Sequence, residues 1–144
     1  MKIKILLLLT SYLLPLTSLN AEFLRDDTNQ IVLDKNTNLV WQDDIHTTTY
    51  TWENAISYCE NLDLAGYTNW KLPNINELKT IVDDTIYSPS IYSEFKNTVS
   101  SDYWSSTTNA SITSHAWTVY INVGATYYDD KTYFKYVRCV RSGQ

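Results

Sequence analysis

Few side chains in this 144-residue chain carry obvious chemistry: two histidines (His46 and His115), two cysteines (Cys59 and Cys139), and adjacent aspartate pairs, among them Asp43-Asp44, Asp83-Asp84 and Asp129-Asp130. Acyl transfer needs a nucleophile, a base and a group that orients the base. Neither histidine falls in a nucleophile-elbow or zinc-ligand spacing, so both read as surface or strand-edge residues. With glycine only at 66, 124 and 143, a Gly-rich phosphate loop is excluded. The aspartate pairs offer carboxylates for acid and base work, or for a hard cation such as calcium. Neighbours along a strand point to opposite faces, however, so a single pair rarely makes a site unaided. No metal ligands and no cofactor are assigned, and calcium rests on carboxylate number alone.

Aromatic residues are the clearer excess, with 12 Tyr and 5 Trp. The tryptophans read as core. Tyr87, Tyr92, Tyr127, Tyr128 and Tyr133 fall in or beside predicted loops, where an apolar ring with a polar tip suits contact with a sugar or a protein. Tyr87, Tyr92, Tyr127 and Tyr128, with Asp129 and Asp130, form the candidate ligand-binding set.

The elements that must position these residues follow from periodicity. Ile31-Val32-Leu33 and Leu39-Val40-Trp41 flank a turn-prone Asp34–Asn38 segment and predict a hairpin. Thr51 is placed to cap a helix carrying Trp52, Ala55, Cys59 and Leu62 at helical spacing, with Gly66 as its end. Pro73-Asn74 followed by Glu77 is a capping-box start for a second helix that buries Ile75, Leu78 and Ile81-Val82. Residues 83–109 then form a long polar stretch, of the kind that often carries function. Near its end Tyr103–Thr107 looks like a strand. Trp117, Val119, Ile121 and Val123 alternate with polar residues at period two, predicting a half-buried strand. Gly124 allows a turn, Tyr127-Tyr128 begin another strand, Asp129–Lys131 read as a loop, and Tyr136–Arg141 closes the chain. Two helices and mostly antiparallel strands make an α+β domain.

Composition narrows the function class. Lys2 and Lys4 precede an apolar run from Ile5 to Leu16, the pattern of a secretory signal peptide, with cleavage expected after Ala21. The run is shorter than the ~20 residues that span a bilayer. Residues 22–144 then form one exported domain, periplasmic or extracellular, with no membrane span. It holds nine basic against sixteen acidic residues, a net charge of −7, which disfavours nucleic acid as a partner. In an exported protein two cysteines argue for an intramolecular bridge, with buried free thiols and an intermolecular bridge as alternatives.

The motifs together resemble the C-terminal domain family of bacterial collagen-like adhesins, a domain of unknown function with a C-type-lectin-like fold. The resemblance rests on Asn38–Gln42, Thr51-Trp52, Ala55-Ile56, Tyr58-Cys59, Leu64–Asn74, Glu77-Leu78, Tyr103–Thr107, Ala116-Trp117 and Val137–Arg141. It implies that Cys59 in the first helix is bridged to Cys139 in the last strand. No Gly-X-Y tract is present, so neither a collagen stalk nor its trimer carries over. The Trp70–Pro73 segment is also distantly similar to formylglycine-generating-enzyme-like domains, but copper oxidase chemistry needs free cysteines that a bridge would consume. The expectation is a non-catalytic, adhesin- or lectin-like domain that binds a glycan or cell-surface protein through the 83–109 and 124–134 segments. The alternatives are an exported enzyme acting on saccharides or peptides through Asp83, Asp84, Asp129 and Asp130, and a structural subunit of a surface assembly. Oligomeric state is left open.

Overall fold

The structure is a computed structural model that describes residues 22–143; the predicted signal peptide lies outside the described residues. Seven strands and two helices follow in the order β1 (Phe23–Asp26), β2 (Ile31–Asp34), β3 (Leu39–Gln42), α1 (Trp52–Glu60), α2 (Ile75–Lys79), β4 (Asp102–Thr108), β5 (His115–Tyr120), β6 (Ala125–Asp130) and β7 (Val140–Ser142). They form two antiparallel sheets, one ordered β1-β2-β3-β7 and the other β4-β5-β6. The fold is α+β, as the periodicity implies.

The expected hairpin is β2-β3, with Val32 paired to Trp41 and Leu33 to Val40. The structure adds β1 ahead of this hairpin; its four residues, Phe23-Leu24-Arg25-Asp26, are too few to display alternation. Helix α1 ends at Glu60 rather than near Gly66, because the Asn61 side-chain amide donates to the Ser57 carbonyl (2.7 Å) and closes the last turn. Gly66 instead shares with Ala65 a tight turn between Leu64 and Tyr67, both central residues having positive φ (57° and 76°). Thr51 stands at the N-cap without a side-chain cap bond. At α2 the capping box is complete: Asn74 Oδ1 accepts from the Glu77 N–H, and Glu77 Oε2 accepts from the Asn74 N–H, both at 2.8 Å. Strand β5 stops at Tyr120, and Ile121–Gly124 is a turn. The segment read as a loop at Asp129-Asp130 is the end of β6. Of the closing strand only Val140–Ser142 pairs fully, beside β3.

Apolar side chains collect in two clusters, because adjacent residues on a strand leave on opposite sides. Val32, Trp41, Tyr103, Leu78, Ile81 and Val119 belong to one. Val40, Trp104, Ala55, Trp70, Leu72 and the Cys59–Cys139 pair belong to the other. Cys59 and Cys139 form the disulfide, with Cα atoms 5.5 Å apart, joining α1 to the segment before β7. Closing a loop of 80 positions restricts the unfolded chain by roughly 4–5 kcal/mol in the chain-entropy account.

Just beyond β3 the Asp43 carboxylate is buried and bonded to Arg25 from β1 and to Arg138 from the segment before β7. It also accepts the backbone N–H of Lys96 (3.0 Å), while the Asn97 side chain donates to the Asp43 carbonyl (2.7 Å). Removing one partner of a buried ion pair leaves the others uncompensated. Asp43→Asn is therefore expected to lower unfolding free energy by about 3 kcal/mol or more in urea titration. An effect within about 0.5 kcal/mol, the usual range for surface changes, would show the pair to be dispensable. The Cys59→Ser, Cys139→Ser double variant is expected to lose about 4 kcal/mol, and the intact protein to take up no alkylating agent by mass until it is reduced.

Candidate functional site

The six residues of the candidate ligand set are divided by the fold. Tyr87 is 76% exposed, on a segment that lies along the β5–β6 turn: the Ser88 N–H donates to the Asn122 carbonyl (2.8 Å) and the Ser90 N–H to the Ile121 carbonyl (2.7 Å). Gly124 is required there, since it has φ 69° and an added Cβ would come within 2.7 Å of Val82. Tyr92 sits on the same segment but turns inward, its ring 4.6 Å from Phe23 and packed against the first cluster. Burial, with several nearby carboxylates, holds its phenol above the ordinary tyrosine range.

Tyr127 and Tyr128 are adjacent on β6 and so face opposite ways. Tyr128 pairs with Trp117 across the strands and meets it edge-to-face, with centroids 5.3 Å apart, and the His115 ring also meets it edge-to-face at 5.9 Å. Tyr127 is opposite Thr118 and its ring lies 6.5 Å from Tyr120. Tyr133 and Phe134, in the turn after β6, are more than half exposed. Strand β6 is an edge of its sheet and thus presents aromatic rings on both sides of one ribbon.

The candidate carboxylates have local partners. Asp130 Oδ1 accepts from the backbone N–H (2.9 Å) and hydroxyl (2.7 Å) of Thr132, and Asp83 does the same for Thr85 (3.0 and 2.6 Å). Both carboxyls are held below the usual range by these bonds. Asp84 lines the groove beside Gly124 with Lys79 and Tyr92. Asp129 lies 2.8 Å from Lys135 Nζ, which is also 4.0 Å from Asp102. Burial works to raise Asp129, but Lys135 and the Asp130 backbone N–H outweigh it and hold the carboxyl low. Burial, with Asp129 nearby, holds Asp102 above its ordinary range despite Lys135. No sequence pattern singles out Asp102; it reaches Asp129 through Lys135, whose neighbour Tyr136 donates its backbone N–H to the Asp102 carbonyl (3.0 Å).

A second feature also escaped the sequence. His46, Tyr50 and Tyr58 stack face to face, with centroids 4.6 Å (His46–Tyr58) and 5.0 Å (Tyr50–Tyr58) apart. Tyr58 Oη accepts from Gln42 Nε2 (2.8 Å), and burial raises its phenol. Burial lowers His46, whose Nε2 has no partner among the described residues, so the ring is neutral at neutral pH. Tyr50 and Tyr58 form one side of an open groove of about 450 Å³ along α1, with Asn54, Asn61 and Leu62. Among the described residues no group of three or more His, Cys, Asp or Glu is disposed to hold a metal ion, and no helix is long and apolar enough to cross a membrane.

The opposed carboxyls give a titration with a definite sign. Asp129 is lowered in the folded state, so its contribution is present above the unfolded-state value and lost as pH falls through the folded one. Asp102 is raised, so its charged form costs stability at neutral pH and the cost disappears on acidification. Asp129→Asn should destabilise and Asp102→Asn should not, at pH 7; the two effects should converge in acid. Carboxyl-detected NMR titration should find Asp102 above Asp129, and the reverse order would remove Lys135 as the organiser of this cluster.

No curated protein matches the chain. Residues 30–141 match the Lcl C-terminal domain family, a span that holds β2 through most of β7, both helices and both cysteines. The chain belongs to the Lcl C-terminal domain family, the C-terminal domains of bacterial collagen-like adhesins that its sequence resembles.

Proposed function

We propose that the protein is an exported, non-catalytic recognition domain with a C-type-lectin-like fold, and that it binds a glycan or a cell-surface protein through the aromatic ribbon of β6 and the adjoining 83–90 segment. The observation that carries this reading is the exposure of Tyr87, Tyr127, Tyr128, Tyr133 and Phe134 around one edge strand of a disulfide-closed scaffold. Rings that are half-uncovered yet fixed by neighbours, as Tyr128 is by Trp117 and His115, can stack on a sugar face or a partner side chain with little loss of rotamer freedom. Export is supported by the charged and apolar start of the chain and by the disulfide. The net negative charge argues against a nucleic-acid partner.

The enzyme alternative draws support from one arrangement only, the two carboxyls pushed apart at Asp102 and Asp129. Lys135 between them favours an ion-paired cluster over an acid and base pair. A role in a surface assembly would be marked by a stable homo-oligomer on sizing.

A glycan-array screen of the purified protein, with calcium and again with chelator, tests the proposal. Binding is expected, and Tyr127→Ala with Tyr128→Ala, or Tyr87→Ala, should lower it at least about tenfold, the order of one lost aromatic contact of 1–1.5 kcal/mol. Tyr92→Ala should instead lower stability, because its ring packs on Phe23. Loss of binding with chelator would bring the aspartates back as calcium ligands. Unchanged affinity in the tyrosine variants would remove this surface from the function.

A further inference from the structure

The four-stranded sheet carries a second surface, away from β6 and independent of the recognition reading. Leu24, Leu33, Val40 and Arg141 are cross-strand neighbours in one register row from β1 to β7, so their side chains leave the sheet on the same side. With Ile31 they line a cavity of about 310 Å³, near the lower end of the range for small-molecule sites. Its floor is apolar and its far end is a cation.

Among the described residues that cation has no counter-charge. Arg141 is only 6% exposed; its guanidinium lies 3.8 Å from the Tyr67 ring centroid, and its Nε donates to Asn69 Oδ1 at 2.9 Å. Among the described residues no carboxylate comes within ion-pair distance of it, and no protein acceptor takes the protons of its two terminal nitrogens. The contrast with Arg25 and Arg138 is sharp, since both reach Asp43. Buried charges are ordinarily paired, and this one is left open in a molecule with an excess of acid. Asp26 also lines the cavity, but β1 is three strand spacings from β7, roughly 14 Å. Its carboxylate is already bonded to the Asn29 side chain and to the N–H groups of Thr28 and Asn29.

We propose that this cavity binds a monocarboxylate carried on an apolar group. The two terminal nitrogens of Arg141 take the two oxygens as a planar fork, and the hydrocarbon lies over Val40, Leu33 and Leu24. Arg25 also lines the cavity, but its guanidinium is paired with Asp27 and Asp43, so one guanidinium is left to balance one negative charge, which favours a carboxylate over a phosphate dianion. A free medium-chain acid and the C-terminus of an apolar peptide share this chemistry.

The test is an amide-detected NMR titration of the purified protein with sodium octanoate below its micelle-forming concentration, octanol, sodium acetate, and acetyl-Leu-Leu-Val with a free or an amidated terminus. Octanoate or the free-terminus peptide should saturate with shifts at Leu24, Leu33 and Val40. The better of the two should bind at least about tenfold more tightly than its neutral counterpart, as a charge-assisted pair requires. Tighter binding of the peptide assigns the site to a protein terminus, and tighter binding of octanoate assigns it to a free acid. Arg141→Gln should abolish the preference for the charged form. Leu24→Asp, at an exposed position that leaves the core untouched, should weaken octanoate by a similar factor and serves if the arginine variant is unstable. Equal binding of octanol and octanoate, unchanged binding in Leu24→Asp, or no saturation with either carboxylate would overturn the proposal.

Discussion

The Asp43 carboxylate accepts from the guanidinium groups of Arg25 on β1 and Arg138 before β7, and among the described residues no other polar contact ties together as many separate parts of the fold. Its burial is expensive in isolation, and it is tolerated because every oxygen is occupied. Arg138 then extends the same knot, donating to the carbonyls of Gln42 (2.8 Å) and Asn97 (2.9 Å) and to the Thr98 hydroxyl (2.9 Å), while Arg25 reaches the Glu94 carbonyl (3.0 Å). The 94–98 stretch has no helix or strand of its own, so these bonds are what hold it against the sheet. An apolar replacement of the whole knot could be equally stable. It would lack directed bonds to specify where that long segment lies.

Gln42, the residue before Asp43, relays this order to the disulfide. Its side-chain oxygen accepts the Cys139 N–H (2.9 Å), and its amide donates to Tyr58 Oη and Asp44 Oδ1 (both 2.8 Å). One buried amide thus registers the end of β3 against the bridged cysteine and against α1. The disulfide and the Asp43 knot lie one residue apart at Cys139 and Arg138, so covalent and polar constraints act on the same short segment. That explains why Val137–Cys139 can be fully buried with little strand pairing.

What the sequence made legible was local. The capping box at Asn74 and Glu77 and the β2-β3 hairpin arise from interactions spanning a few residues, and each is present; strand β5 is present too, but its burial does not alternate as expected, since Thr118 is as buried as Val119 while Trp117 is only half-buried. The pairing of Cys59 with Cys139 was legible from compartment and family resemblance, not from spacing. The misses were long-range. Nothing in Asp43-Asp44 marks one aspartate as the buried centre of the fold and its neighbour as half-exposed. The His46–Tyr50–Tyr58 stack needs the 43–50 segment to fold back on α1, and the Asp102–Lys135–Asp129 cluster needs the segment after β6 to return beside the start of β4. Period-two reading also extended β5 to Val123, where the chain instead turns at Ile121–Gly124; Ile121 is buried in the turn, so burial mimicked the strand pattern.

The acidic residues show where function is left. Asp26, Asp34, Asp83 and Asp130 each accept backbone N–H groups two or three residues ahead, the Asx-turn use of a short carboxylate. Asp43 is consumed by the fold, and Asp129 by Lys135. Most of the aspartates that suggested catalysis or calcium are thus engaged in shaping turns or closing ion pairs, and redirecting them to a substrate would dismantle local structure. The exposed rings of β6 carry no such obligation. Tyr127 and Tyr128 contribute no backbone-organising bond beyond the strand itself, and Phe134 at 67% exposure is hydrophobic area that the fold does not bury. Surface that costs solvation and serves no folding role is the surface best suited to a partner.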